Sequence, residues 1–174
     1  MKITTRNITY TALSLALCMV LPFLTGQIKE IGDSLLPMHL PVLLCGFLCG
    51  WPYGLLVGLI APFLRSVLFG MPPLYPNALW MALELATYGF VSGLLYKHFS
   101  KCTFKSIYLS LIPALLAGRV VLAIAKAIVL TMGNKTFFLY EFFMGSVVDA
   151  LPGIVLQLIF IPVFVKILTK TTYE

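Results

Sequence analysis

Charge is what this chain has least of. Only 10% of its 174 residues are Asp, Glu, Lys or Arg, 60% are hydrophobic, and the mean hydropathy is +1.01. A soluble domain carries roughly 25% charged residues, so the scarcity excludes a water-exposed globule and identifies an integral membrane protein. Other absences narrow the chemistry. The chain has no His-Glu-x-x-His, no Gly-x-Ser-x-Gly, no phosphate-cradling Gly-Lys-Ser loop and no acidic pair spaced for metal-assisted transfer, so nothing marks a catalytic centre. No alternating segment of about ten residues recurs, which argues against a β-barrel. Without an inverted repeat or a nucleotide-binding domain, the chain is too small to drive active uptake alone and needs partners.

Cysteine is also sparse. Cys18, Cys45, Cys49 and Cys102 lie in or beside apolar runs, and Cys45 and Cys49 are one helical turn apart with no His or acid at ligand spacing. They read as small packing residues, with neither a disulfide nor a metal expected.

What is present is apolar helix. A bilayer core about 30 Å thick needs roughly 20 apolar residues per crossing. The chain therefore supplies at most about six spans, expected at residues 8–24, 38–50, 52–69, 77–96, 107–131 and 141–168. The expected fold is an all-α bundle of six transmembrane helices forming one membrane domain over residues 1–174. The second span is short and joins the third through Trp51, Pro52 and Gly54 as a tight helical hairpin. Lys2 and Arg6 followed by "LSLALCMVLPFL" also fit a signal peptide or a lipoprotein site at Cys18. The apolar run continues past Cys18, Leu17 rather than a small residue precedes it, and further spans follow, so the helix is expected to stay.

Lys and Arg set the orientation. Lys2, Arg6, Lys97, Lys101, Lys105, Lys166 and Lys170 all fall on one side of a six-span chain, against Lys29 and Lys135 on the other. Both termini are expected in the cytoplasm, and the net charge of +6 is then a topological signal that needs no nucleic acid.

Against this background the ionisable residues inside spans stand out. An ionised side chain at the bilayer centre costs about 2.5 to 3.5 kcal/mol on insertion scales, so such groups face a bundle interior or a wet cavity. Arg65, Glu84, Arg119, Lys126 and Asp149 all fall in the middle or outer half of their spans. Arg–acid pairs such as Arg65 with Glu84, or Arg119 with Asp149, would serve merely to lock helices, and Lys126 could snorkel outward. Asn77, Trp80 or Met81, Glu84 and Tyr88 form one stripe at helical spacing, and Arg119, Ala123 and Lys126 form another. Above them the segments "TGQIKEIGDSLLPMHLP" and "FGMPPLYPNA" supply Gly, Pro, His39 and Tyr75, as a lid over an outward-open polar pocket would. Substrate-binding candidates are thus Arg65, Glu84, Arg119, Asn77, Tyr88, Trp80, His39, Tyr75, Asp149 and Lys126.

The chain resembles the substrate-binding S components of bacterial energy-coupling factor (ECF) vitamin transporters. "ALSLA" in the first span places Ala12 and Ala16 at a small-xxx-small spacing. "MHLPVLLCGFLCGWPYGLLVGLIAPFLRSVLFGMPPLYPNALWMALELATYGFVSGLLY" looks like helices two to four of a vitamin-type S component, "AGRVV" looks like its fifth, and six short spans match the family throughout. The resemblance implies a non-catalytic subunit in the bacterial plasma membrane that binds a vitamin at its outer face. It also implies docking through Ala12 and Ala16 on a transmembrane coupling subunit, with two cytoplasmic ATPases hydrolysing ATP as the S component topples. This chain itself then needs no cofactor. Arg65, Arg119 and Lys126 less Glu84 and Asp149 leave one positive charge, and Arg suits bidentate capture of a carboxylate. Pantothenate therefore leads. A pyridine or pyrimidine alcohol of the vitamin B6 or hydroxymethylpyrimidine type, stacked on Trp80, Tyr75 or Tyr88, is the alternative, with folate and riboflavin behind it. An intramembrane enzyme and a structural membrane subunit are the readings from other classes.

Overall fold

The computed structural model describes residues 4–24, 34–99, 103–132, 148 and 150–173. Among these, every regular element is helical: α1 (Thr5–Leu24), α2 (His39–Cys49), α3 (Trp51–Phe69), a π-turn at Leu74–Ala78, α4 (Leu79–Phe99), α5 (Phe104–Met132) and α6 (Leu151–Tyr173). Five of the helices are long and apolar enough to cross a membrane, and α2 is the exception. Its 11 residues reach only about 16 Å at 1.5 Å per residue, so the six full crossings expected from sequence reduce to five plus one short helix. The sixth span is seen only from Leu151. Residues 141–147 and 149, and with them Asp149, lie outside the described residues, as do Lys29, Lys101, Cys102 and Lys135.

Local sequence sets the ends of these helices. Gly50 separates α2 from α3 at φ +92°, a conformation that a Cβ would oppose, and Pro52 follows in the first turn of α3, where its missing N–H leaves no bond unmade. The tight hairpin is thus present. Gly70, left-handed at φ +71°, ends α3 by donating its N–H to the Ser66 carbonyl.

Cross-helix contacts fix the direction of each element. Cys49 Sγ lies 3.6 Å from the Asn7 carbonyl and Cys18 Sγ 3.6 Å from the Met38 carbonyl, so α1 and α2 run antiparallel. A Cβ placed on Gly153 would sit 2.6 Å from the Ser34 carbonyl oxygen, so α6 starts where α2 starts. The starts of α2, α4 and α6 therefore share one end of the bundle, the His39 end. The turn at Trp51 and the outer turns of α1 and α6 mark the other. Arg6, Lys97, Lys105 and Lys166 belong to the Trp51 end, whereas Lys126 lies toward the His39 end.

Helix α4 is the hub, packing on α2, α3 and α5. Small residues permit this. A Cβ on Gly54 would stand 2.7 Å from the Gly89 carbonyl oxygen and 2.8 Å from Gly46 Cα, so α2, α3 and α4 meet backbone to backbone. The buried side chains of Leu43, Phe47, Tyr88, Leu111 and Ile161 fill the space between α2, α4, α5 and α6. On the outside, Leu116, Val120, Ile124 and Ile128 of α5 recur every fourth residue in the open, as do Val155, Ile159, Val163 and Ile167 of α6. Stripes of that kind are wrong for water and right for acyl chains.

The glycine contact is the fold's least forgiving point. Gly89→Val should displace α3 from α4 and cost at least the roughly 1 to 3 kcal/mol of an overpacked core. A thermal melt of the detergent-solubilised protein should show a drop of several degrees, whereas Val120→Leu on the lipid face should leave the melt unchanged.

Candidate functional site

Three helices place their polar side chains around one carboxylate. Glu84, in the second turn of α4, is 3% exposed inside an apolar bundle. Tyr88, one turn further on, donates its hydroxyl to Glu84 Oε1 at 2.9 Å. Arg119 of α5 brings Nη1 to 3.1 Å from the same oxygen, and His39, the first residue of α2, has Nε2 3.5 Å from Oε2. The His39 and Tyr88 rings lie 5.3 Å apart, tilted by 57°. The local sequence makes this possible. Glu84 and Tyr88 are four residues apart and so share a helix face, and Gly118 leaves the space that the Tyr88 ring occupies, since a Cβ there would meet that ring directly. The segment "AGRVV" thus supplies both the gap for Tyr88 and the cation for Glu84.

The cluster is compensated but not saturated. Arg119 uses Nη1 on Glu84, while its Nε and Nη2 are buried without a protein partner, and so are both ring nitrogens of His39 by hydrogen-bond criteria. Each buried donor left unmade costs about 1 to 3 kcal/mol. Nε and Nη2 form one edge of the planar guanidinium, a two-pronged donor suited to the two oxygens of a carboxylate. A site with idle donors on a fixed framework has the electrostatics of a binding site awaiting an acceptor-rich group.

Toward the His39 end the stripes continue. Lys126 Nζ stands 5.5 Å from the Trp80 ring centroid, a cation–π contact two turns from Arg119 and one turn from Glu84. Asn77 and Trp80 are half-buried, and Tyr75 projects in the open at 64% exposure from the π-turn. Of the candidate residues, His39, Glu84, Tyr88 and Arg119 are brought into mutual contact, with Trp80 and Lys126 above them.

Arg65 is not among them, although it too is buried. It donates from Nη1 to the Met19 carbonyl of α1 at 2.8 Å, with its guanidinium 5.3 and 5.6 Å from the Phe23 and Phe69 rings. Glu84 pairs with Arg119 and His39, so the suggested Arg65–Glu84 pairing is not the one formed. Met19 precedes the last turn of α1, with helical Phe23 four residues on, so Arg65 adds a bond near the negative end of the helix dipole rather than filling an orphan carbonyl. Arg65 thus ties α3 to the C-terminal part of α1.

Reading the sequence for ionised groups passes over Gln157, fully buried in α6 with both amide atoms unpartnered. Its signal is the amide inside "VLQLIF", polar but uncharged. Ala12 and Ala16 are exposed on α1 beside Leu13, Leu17 and Val20, while Ser14 and Cys18 turn inward.

An all-helical, multi-pass membrane bundle closed around an unsaturated polar cluster is a small-molecule-binding membrane subunit in its physical outline. The chain belongs to the family of ECF transporter substrate-specific components, whose family model matches residues 6–169. No curated protein and no solved structure matches it. It is accordingly a substrate-specific subunit of an ECF transporter, a generally non-catalytic transport component, and membership implies association with ECF transmembrane and ATPase modules and a small-molecule substrate.

Glu84 compensates Arg119, so its charge is structural whatever binds. Glu84→Gln, which keeps the shape, should cost about 3 to 5 kcal/mol by leaving the guanidinium buried and uncompensated. Thermal unfolding of the ligand-free protein should show that loss, and an unchanged melt would remove the ion pair from the account.

Proposed function

We propose that the chain is the high-affinity receptor for a small water-soluble vitamin or precursor carrying one carboxylate, with pantothenate the first candidate. The observation that carries this reading is the idle Nε–Nη2 edge of Arg119, buried beside a carboxylate that engages only Nη1. A monoanion fits because Arg119 and Glu84 cancel while Lys126, on the same face of α5 toward the His39 end, adds one positive charge, and the idle donors of Arg119 then face the acceptor. In this reading His39, Glu84, Tyr88 and Arg119 form the floor of the site. Asn77, Trp80, Lys126 and Tyr75 form its approach, and Asp149 is a further candidate. Arg65 moves from the site to the α1–α3 junction. The cation-rich Trp51 end faces the cytoplasm of a bacterial cell, by the Lys and Arg bias, and the His39 end faces outward. ATP hydrolysis belongs to two partner ATPases.

A second reading draws on the ring contact between His39 and Tyr88 and on the half-buried Trp80. These surfaces would hold a neutral heterocyclic alcohol of the vitamin B6 or hydroxymethylpyrimidine type by stacking.

Calorimetry with pantothenate and with pyridoxine separates the two. Pantothenate should bind the wild type. Arg119→Lys, which exchanges a fork for a point charge, should weaken it at least tenfold, and Arg119→Ala should weaken it further, by about 2 to 5 kcal/mol. Tight binding of pyridoxine with none of pantothenate would overturn the monoanion assignment and leave the receptor reading in place.

The exposure of Ala12 and Ala16 on α1 supports their role as the contact with the transmembrane coupling subunit, since small residues let a partner helix approach closely. Replacing both with Trp should abolish uptake by cells while leaving calorimetric binding to the isolated subunit within about twofold, a difference of some 0.4 kcal/mol. Loss of binding together with uptake would mean that the two alanines pack within the subunit.

A further inference from the structure

We infer that Gln157 is a substrate-contacting residue that reads an amide-like group of the ligand, an edge carrying N–H and C=O side by side. The inference rests on the receptor reading above and adds to it a second recognition point on α6.

The amide is out of place unless something meets it. Three buried serines satisfy themselves locally: Ser14, Ser92 and Ser110 donate to carbonyls three or four residues back in their own helices. Gln157 does not, and both Nε2 and Oε1 are buried with no partner. An apolar residue of similar length would fill the position without that penalty, so the position carries an unmet cost that a ligand would relieve.

Helix register places Gln157 beside the site. Gly153, Gln157, Ile161 and Val165 form an inward stripe of α6, all buried. Gly153 abuts the backbone of Ser34 and Leu35, and Ile161 and Val165 share a core cluster with Leu43 and Phe47. Helices α2 and α6 run in the same direction. Gln157 is four residues before Ile161 in α6, and His39 is four before Leu43 in α2. The amide therefore stands at the level of His39, on the helix that closes the bundle beside α2 and α5. Among the described residues, the buried atoms without a hydrogen bond at that level include the Nε–Nη2 edge of Arg119, Nδ1 of His39 and the complete amide of Gln157, while His39 Nε2 faces Glu84 Oε2 at 3.5 Å.

These groups ask for different chemistry. The guanidinium edge offers donors only and suits a carboxylate. A carboxamide offers donor and acceptor together, and both are satisfied at once only by a group that also carries both. The ligand class is thus a small carboxylate bearing a secondary amide or a heterocyclic amide edge, and a keto acid or simple hydroxy acid would leave part of Gln157 unmet.

The test uses the full chain, purified in detergent, as wild type, Gln157→Met and Gln157→Leu. Small molecules released on denaturation are quantified by mass spectrometry, and melting temperatures are measured after exhaustive dialysis. The wild type should release a carboxylate that contains an N–H/C=O edge. Both variants should retain at least tenfold less of it, yet melt a few degrees higher than dialysed wild type because the unmet amide is gone. Lower melting temperatures in both variants would make the amide a structural group and overturn the inference. Equal retention, or a released compound with no such edge, would overturn it while leaving the receptor reading intact. A wild type that releases no small molecule would overturn both.

Discussion

Among the described residues, one carboxylate buried inside the apolar bundle constrains much of the rest. Glu84 is buried among apolar helices, so its charge has to be met by groups from neighbouring helices at hydrogen-bond range. Oε1 takes Tyr88 and Arg119, and Oε2 faces His39. That requirement draws α2, α4 and α5 together at one level, and the small residues do the rest: Gly118 admits the Tyr88 ring, and Gly54 and Gly89 let α3 press on α4. The result is asymmetric. Arg119 neutralises Glu84 through one nitrogen, which leaves the pair stable and the other edge of the guanidinium idle.

Two arginines of the same kind resolve their burial differently. Arg119 meets an acid and keeps donors in reserve. Arg65 meets the Met19 carbonyl and two phenylalanine faces, a combination that suits a cation at a helix C-terminus without requiring an acid. Removing Arg65 from the charge arithmetic does not remove the case for an anionic ligand. It moves that case from a net count to the geometry of one side chain, which is the stronger ground.

Much of this was legible in the chain before any coordinates. The apolar runs and their breaks gave the helices because Gly50, Pro52 and Gly70 act locally, and the spacing of Glu84 and Tyr88 needs only the helical period. The sequence suggested Arg65 for Glu84 and Arg119 for Asp149, and Arg119 opposite Glu84 is not legible there, since pairing between helices depends on how α4 and α5 rotate against each other. That rotation is set by glycines whose effect appears only when two backbones meet. The shortness of α2 was legible, since residues 38–50 are few for a crossing, but hydropathy alone still counted them among the spans. Gln157 was overlooked because its cost comes from lacking a partner, a property of the fold rather than of the residue.

The same helices that form the site also separate it from the surface proposed for docking. α1 turns Asn7, Thr11, Ser14 and Cys18 toward the bundle and Ala12 and Ala16 away from it. Its inward contacts with α2 are weak ones, thiol to carbonyl or hydroxyl at 3.6 to 3.9 Å, and its firmest polar tie is Arg65 at the far turn. No group of α1 takes part in the Glu84 cluster. A partner helix pressed against Ala12 and Ala16 would therefore load a helix pinned to α3 at one end and only lightly bonded to α2 along its length. On the proposed docking, a coupling subunit would grip the outside of α1 without touching the Glu84 cluster.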